Sequence, residues 1–79
     1  MQIIYILYSQ SDVLGVFHSL QRAKKTATKL GVTNGWHISQ IDLYPTVGGI
    51  RAESPFKWEY HYGWVEEYNH HRGEVMLPV

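Results

Sequence analysis

The chain has 79 residues, of which seven are basic, seven are acidic and none is cysteine. This length predicts one domain with a small core, and the missing cysteines exclude disulfides, cysteine-based zinc sites and thiol nucleophiles. The formal net charge of zero is unfavourable for a dedicated nucleic-acid-binding protein and for an acidic DNA mimic alike.

Two antiparallel strands are predicted at the start of the chain. Residues 2–8 form an unbroken apolar run, which is typical of a central strand covered on at least one face. The run is too short to span a bilayer and lacks the flanking features of a signal peptide, so we expect a cytoplasmic protein without a membrane segment. After a polar turn, residues 13–18 predict the second strand, in which Gly15 indicates a bulge or a close backbone approach.

A single helix is predicted next. Ser19 is a suitable N-cap because its hydroxyl can accept a hydrogen bond from an amide of the first turn, and Gly31 suits the position after the C-cap. The apolar positions between them recur at helical spacing as a narrow seam: Leu20, Ala23, Ala27 and Leu30. The small alanines would allow the helix to lie close to a sheet rich in bulky side chains.

The outer face of this helix is basic. Arg22, Lys25 and Lys29 share one face, Lys24 lies beside them, and no acidic residue occurs in the helix. The simplest interpretation is a solvated outer face. The functional alternative is a docking face for phosphates or for an acidic protein surface.

The third strand is predicted over residues 36–44. Its apolar residues stand at even positions in the first half (Trp36, Ile38) and at odd positions in the second (Ile41, Leu43). A bulge near residues 39–40 is therefore expected, because it would keep all four on one face. Pro45 is expected to end this strand. Residues 45–56 form either a loop or a small hairpin that turns at Gly48-Gly49.

The strongest pattern in the sequence is an aromatic stripe at every second residue: Trp58, Tyr60, Tyr62 and Trp64. On one β-strand these side chains would all point to the same face, and the residues between them would form a polar face. We favour burial of the stripe under the helix. If the stripe is exposed instead, it predicts a partner-binding site. The flanking anchors would then be Tyr44 and Tyr68, and the basic residues of the helix would steer the partner.

The last predicted elements are a turn at residues 69–73 and a short edge strand over residues 74–77. The element order is therefore β-β-α-β-β, or β-β-α-β-β-β if the last strand forms. This order predicts an α+β domain in which one helix packs on one face of a mainly antiparallel sheet of four to five strands.

No metal site, cofactor or catalytic site is predicted. His70-His71 lies in the predicted turn, and His37 and His61 lie on predicted strands, with no established spacing of metal ligands. The sequence has no nucleophile elbow, P-loop or dinucleotide-binding glycine pattern, and a domain of this size has little depth for a substrate pocket. We therefore expect a protein that is not an enzyme.

Residues 13–25, with the sequence VLGVFHSLQRAKK, resemble the opening of short phage-encoded accessory proteins. In those proteins a β-hairpin ending in V-F-x-S leads into a helix with an A-K-K-like segment, and a strand follows. The resemblance covers residues 1–44 and implies a small β-β-α-β protein of viral or mobile-element type, without assigning functional residues. Some such proteins inhibit host defence systems such as CRISPR effectors, which would place this one in the host cytoplasm.

Two functions follow as hypotheses. The first is a small non-catalytic binding protein that inhibits or modulates a host protein or ribonucleoprotein complex by occupying its surface. The alternative is a nucleic-acid-binding module in which bases stack on the sheet aromatics and the helix lysines hold phosphates. This alternative requires the stripe and the basic helix to share an accessible surface. A homodimer formed through an uncovered sheet face or an edge strand is compatible with both.

Overall fold

The computed structural model describes residues 1–68 and the backbone of residues 75–78. Its elements are β1 (Gln2–Tyr8), β2 (Val13–Phe17), α1 (Leu20–Lys29), β3 (His37–Thr46), β4 (Gly49–Glu53), β5 (Phe56–Tyr60), β6 (Trp64–Tyr68) and β7 (Val75–Pro78). The predicted α+β class, with one helix packed on a mainly antiparallel sheet, is confirmed. There are more strands than predicted, because the region after β3 contributes β4 and the aromatic stripe is divided between β5 and β6. The turn predicted at residues 69–73 lies outside the described residues.

The sheet is organised around β3, its longest strand. The strand order is β2-β1-β3-β4-β7, and every strand pair in the described part of the chain is antiparallel. One edge of β3 pairs with β1, and two strands share the other edge: residues 42–46 pair with β4 and residues 37–39 pair with β5. The molecule is therefore elongated, with a long axis of 42 Å and shorter axes of 23 and 21 Å.

The predicted end of the third strand at Pro45 is wrong, because β3 continues to Thr46 and turns into β4. The last β1 partner along β3 is Leu43, so past that residue β3 is paired along one edge, with β4. A residue without an N–H is tolerated where one edge of a strand is unpaired. The hairpin alternative for residues 45–56 is confirmed, and the Thr46 hydroxyl donates to the Gly49 carbonyl oxygen at 2.9 Å across the turn.

The helix α1 begins and ends where the sequence predicts. Ser19 has an extended backbone with φ of −139°, and its hydroxyl accepts a hydrogen bond from the Arg22 amide at 3.4 Å. Gly31 follows the helix with φ of +81°, a left-handed conformation that glycine adopts without strain. Ala23 and Ala27 have no exposed surface, so the helix backbone lies close against the sheet.

The core is small and lies between α1 and one face of the sheet, which we term the helix-covered face. Its buried members are Leu7, Ala23, Ala27, Ile38 and Trp58. Partly buried residues packed around them are Tyr5, Phe17, Leu20, Val32, Trp36, Phe56 and Trp64. We term the opposite side of the sheet the open face. Cross-strand partners point to the same face, so the strand register assigns residues to one side or the other.

β3 places apolar side chains on both faces, and the bulge predicted near residues 39–40 is wrong. The β1–β3 pairing keeps one register along its whole length. Ile38 is opposite the buried Leu7 and therefore lies on the helix-covered face, whereas Ile41 is opposite Ile4 and lies on the open face. The change of parity in the sequence thus reflects a sheet with apolar side chains on both sides.

Gly15 combines both features predicted for it, a bulge and a close approach. It pairs with Leu7, and the β1–β2 register shifts between Leu7 and Tyr8. A Cβ atom placed on Gly15 would lie 2.8 Å from two ring atoms of Phe17. The Phe17 ring therefore packs directly over the glycine, at the edge of the core.

Replacing Gly15 with alanine is expected to lower the free energy of unfolding by about 1–3 kcal/mol, because the added methyl group displaces the Phe17 ring. Gly48→Ala is the matched control, since no atom lies within 4 Å of its Cβ position. We expect that control to change the free energy of unfolding by less than about 0.5 kcal/mol. Urea unfolding of both variants measures the difference, and equal stabilities would contradict the close approach.

Candidate binding surface

The aromatic stripe is a hairpin rather than the single strand predicted. β5 ends at Tyr60, residues 61–63 turn, and β6 begins at Trp64, which is the cross-strand partner of Tyr60. Tyr62 occupies the turn with φ of +55°, in the left-handed region that residues other than glycine seldom adopt. Because Tyr60 and Trp64 face the same side, the alternation of the stripe continues through the turn while the chain reverses.

The tip of this hairpin is fixed to the loop that follows α1. The Tyr60 amide donates to the Trp36 carbonyl oxygen at 2.8 Å, and the Gly35 amide donates to the Tyr60 carbonyl oxygen at 3.0 Å. The Tyr62 amide donates to Asn34 Oδ1 at 2.9 Å. These three hydrogen bonds hold β6 in position relative to α1.

The four residues of the stripe have three different environments. Trp58 is 7% exposed and belongs to the core, as the burial interpretation predicts. Tyr62 is 93% exposed at the hairpin tip, where that interpretation fails. Tyr60 and Trp64 are half-buried and meet edge to face, with ring centroids 5.2 Å apart. The stripe is therefore not one surface: Trp58 is in the core, Tyr60 and Trp64 are half-buried, and Tyr62 is exposed in the turn.

The two flanking tyrosines have other surroundings. Tyr44 is half-buried in the second half of β3, where the guanidinium carbon of Arg51 lies 4.6 Å from its ring centroid. Tyr68 is 48% exposed and meets Phe56 edge to face at 5.6 Å. Neither tyrosine is among the described residues that line the groove next to Trp64.

A groove of about 600 Å³ lies between the outer side of α1 and Trp64, and we term it the basic–aromatic groove. Its lining residues are Ser19, Gln21, Arg22, Lys24, Lys25, Thr28 and Trp64. The groove brings together one aromatic residue of the stripe and two of the predicted steering residues, Arg22 and Lys25. The third, Lys29, is not among the lining residues described.

The described lining of the basic–aromatic groove is positively charged. Three of its lining side chains are cationic, and none of the described lining residues carries a carboxylate. Lys24 is half-buried, which its spacing of four residues from Leu20 and three from Ala27 could have indicated. Of the β6 carboxylates, Glu67 pairs with Lys57 at 3.4 Å on the open face. Glu66 lies on the helix-covered face with Trp64, but it is not among the described lining residues of the groove.

The open face of the sheet is a second candidate surface, whose residues were not singled out from the sequence. Neither α1 nor any described strand packs across it. Its apolar side chains come from four neighbouring strands: Ile4, Ile6, Val16, Ile41, Leu43 and Ile50. We term this set the open-face patch. Two features of the sequence indicate it: the unbroken apolar run of β1, and the shift of the apolar residues of β3 from even to odd positions.

The histidines do not form a metal site in the part of the chain that the structure describes. No group of three or more metal-ligating side chains there is arranged to hold an ion. His37 stacks on Tyr8 with ring centroids 4.6 Å apart, and His61 lies 3.2 Å from a carboxylate oxygen of Glu59. His70-His71 lies outside the described residues.

The helix in the described part of the chain is too short and too polar to cross a membrane.

Comparison with protein-family models, with curated proteins and with solved structures finds no match for this chain. The basic–aromatic groove and the open-face patch are therefore the features from which a function can be inferred.

Proposed function

We propose that this protein is a small non-catalytic binding protein, and that its basic–aromatic groove contacts a single strand of nucleic acid, free or displayed by a ribonucleoprotein complex. The observation that carries the proposal is that Trp64 shares one groove with Arg22, Lys24 and Lys25. A nucleic-acid-binding module built from sheet aromatics and a basic helix requires such a shared, accessible surface.

Both chemical parts of a nucleotide have a counterpart in the groove. Lysine and arginine side chains contact phosphates, and a base stacked on an aromatic side chain contributes about 1–3 kcal/mol. Trp64 is half-buried and held edge to face by Tyr60, so its indole is positioned before a ligand arrives. We favour nucleic acid over an acidic protein surface because each nucleotide supplies a phosphate for the cations together with a planar base for the indole.

The composition of the groove also sets the kind of recognition expected. Stacking on Trp64 and ion pairs with phosphates use groups that all nucleotides share, so binding should tolerate changes of sequence. Three cations in a chain of zero net charge predict weak binding that depends strongly on salt.

A role in which the protein occupies a surface of a host defence complex is a further proposal, supported by the resemblance to phage-encoded accessory proteins. A ribonucleoprotein effector would present a strand of the kind that the groove fits. The two proposals are therefore compatible, and the groove can be tested first with free oligonucleotides.

Lys25→Ala and Lys29→Ala form a matched pair, because they remove the same charge from the same helix and only Lys25 lines the groove. We expect Lys25→Ala to weaken binding of a labelled single-stranded oligonucleotide roughly fivefold, which is about 1 kcal/mol for one lost ion pair. Lys29→Ala should weaken binding less than about twofold, because salt screens the attraction between a charge outside the groove and the phosphates of the bound strand. Fluorescence anisotropy titrations with RNA and with DNA measure both.

Equal losses in the two variants would assign binding to the general charge of the helix and not to the groove. If wild-type protein binds neither RNA nor DNA at about 50 mM salt, nucleic acid is excluded as the ligand. If the wild-type protein is then retained by an immobilised acidic protein under the same conditions, the ligand of the groove is a partner that presents carboxylates.

A further inference from the structure

We propose that the open face is the interface of a homodimer, in which the sheets of two copies pack face to face. The proposal rests on the open-face patch, defined above by six apolar residues of β1, β2, β3 and β4. It is independent of the basic–aromatic groove, which lies on the helix-covered face of the sheet.

The residue pattern of β1 is that of a strand buried on both sides. Continuous apolar runs occur in strands that have both faces covered, whereas strands with one wet face alternate between apolar and polar residues. Tyr5 and Leu7 lie on the helix-covered face, next to α1. Ile4 and Ile6 lie on the open face, where the described chain supplies no covering element. We infer that a second copy of the chain supplies the cover that the described residues do not.

The patch is continuous across neighbouring strands. Ile6 is the cross-strand partner of Val16 on β2, and Ile4 is the partner of Ile41 on β3. Side chains in such positions touch one another, because their Cβ atoms lie about 4.5–5.5 Å apart. Val16 is 59% exposed at one margin of the patch, and Ile50 on β4 lies at the other. The other five residues of the patch are half-buried, so the patch is a continuous and partly exposed apolar surface. Exposed apolar patches of this kind are found at interaction sites.

The chemistry of the patch fits a second copy of the same chain. None of its six residues is charged, and the charged residues of the same face lie at the far end, on β5 and β6: Lys57, Glu59 and Glu67. An apolar, uncharged surface requires an apolar, uncharged partner, which a two-fold axis supplies from the identical patch. The formal net charge of the chain is zero, so two copies approach without mutual repulsion.

The dimensions of the face also fit a dimer. The chain measures 42 Å by 23 Å along its two longest axes, so one whole side projects roughly 750–950 Å², against about 800 Å² per partner in a standard interface. The interface would therefore cover most of this side, with the charged residues of β5 and β6 at its margin. In the dimer, two sheets would stack with their backbones about 10 Å apart, as in a β-sandwich.

Sedimentation equilibrium at increasing protein concentration tests the proposal. We expect the mass of the wild-type protein to rise from 9.2 kDa to twice that value. Ile41→Lys places a charge at the centre of the patch and is expected to raise the dimer dissociation constant roughly 100-fold. Val47→Glu is the control, because Val47 is fully exposed in the β3–β4 turn, and it should leave the constant unchanged.

A wild-type protein that stays monomeric at every concentration would overturn the proposal. Val16→Glu is a second variant, at an exposed position whose substitution leaves the core intact. Loss of the dimer in Ile41→Lys and in Val16→Glu, with native circular dichroism in both, supports packing of the two open faces. Loss in Val16→Glu alone would assign association to the edge of β2 and overturn the proposal. If Ile41→Lys does not fold, Ile41→Thr keeps the preference for a strand and should weaken the dimer roughly tenfold.

Discussion

Replacing Trp58 with alanine is expected to lower the free energy of unfolding by about 3–5 kcal/mol. Trp58 is 7% exposed, is the cross-strand partner of Ile38, and meets Tyr5 with ring centroids 6.0 Å apart. Alanine would leave a cavity bounded by these neighbours and by α1. A single core in a chain of this size supplies only about 3–5 kcal/mol, so a large fraction of the variant should be unfolded at room temperature.

Urea unfolding followed by circular dichroism measures this loss. Tyr62→Ala is the control from the same stripe, since Tyr62 is 93% exposed and its removal should change the free energy of unfolding by less than about 0.5 kcal/mol. Equal stabilities of the two variants would contradict the division of the stripe into a buried and an exposed part.

Affinity for a single-stranded oligonucleotide is expected to fall roughly 7- to 20-fold when salt is raised from about 50 to about 200 mM. This range corresponds to two or three phosphates held by Arg22, Lys24 and Lys25, because each contact adds about −0.7 to the slope of log affinity against log salt for single strands. Anisotropy titrations at four or more salt concentrations give the slope.

Variants separate the two kinds of contact in the groove. Removing both Lys24 and Lys25 as alanines should reduce the slope to about −0.7, whereas Lys29→Ala should keep the wild-type slope. Trp64→Leu should weaken binding by the same factor at every salt concentration, because stacking releases no counterions. A slope that the double variant does not change would refute phosphate contacts by this side of α1.

The elements with local signals could be predicted from the sequence. The limits of α1 follow from the Ser19 cap and Gly31, whose roles depend on neighbours a few residues away. β1 follows from its apolar run, and the position of Gly15 next to a bulge follows from the cost of glycine inside a strand. The helix seam of small residues also predicts close packing on the sheet, which the buried Ala23 and Ala27 confirm.

The elements that depend on distant partners could not be predicted in the same way. In the sequence the stripe has the pattern of one strand, because a three-residue turn after Tyr60 brings Trp64 back to the same face. The alternation therefore does not reveal that the chain reverses. A bulge in β3 follows from the sequence only if one face of the sheet is apolar, whereas both faces carry apolar residues. The groove likewise cannot be predicted from local sequence, because tertiary packing brings Trp64 next to the cations of α1.

The two walls of the basic–aromatic groove come from opposite halves of the chain. α1 ends at Lys29, whereas Trp64 is reached only after three further strands, and the hydrogen bonds from residues 34–36 to the hairpin set the distance between them. Neither wall forms the groove alone, so a partly folded chain has no binding site. A bound strand would in turn shift the folding equilibrium toward the native state by mass action. Ligand concentration and chain stability are therefore thermodynamically linked in this protein.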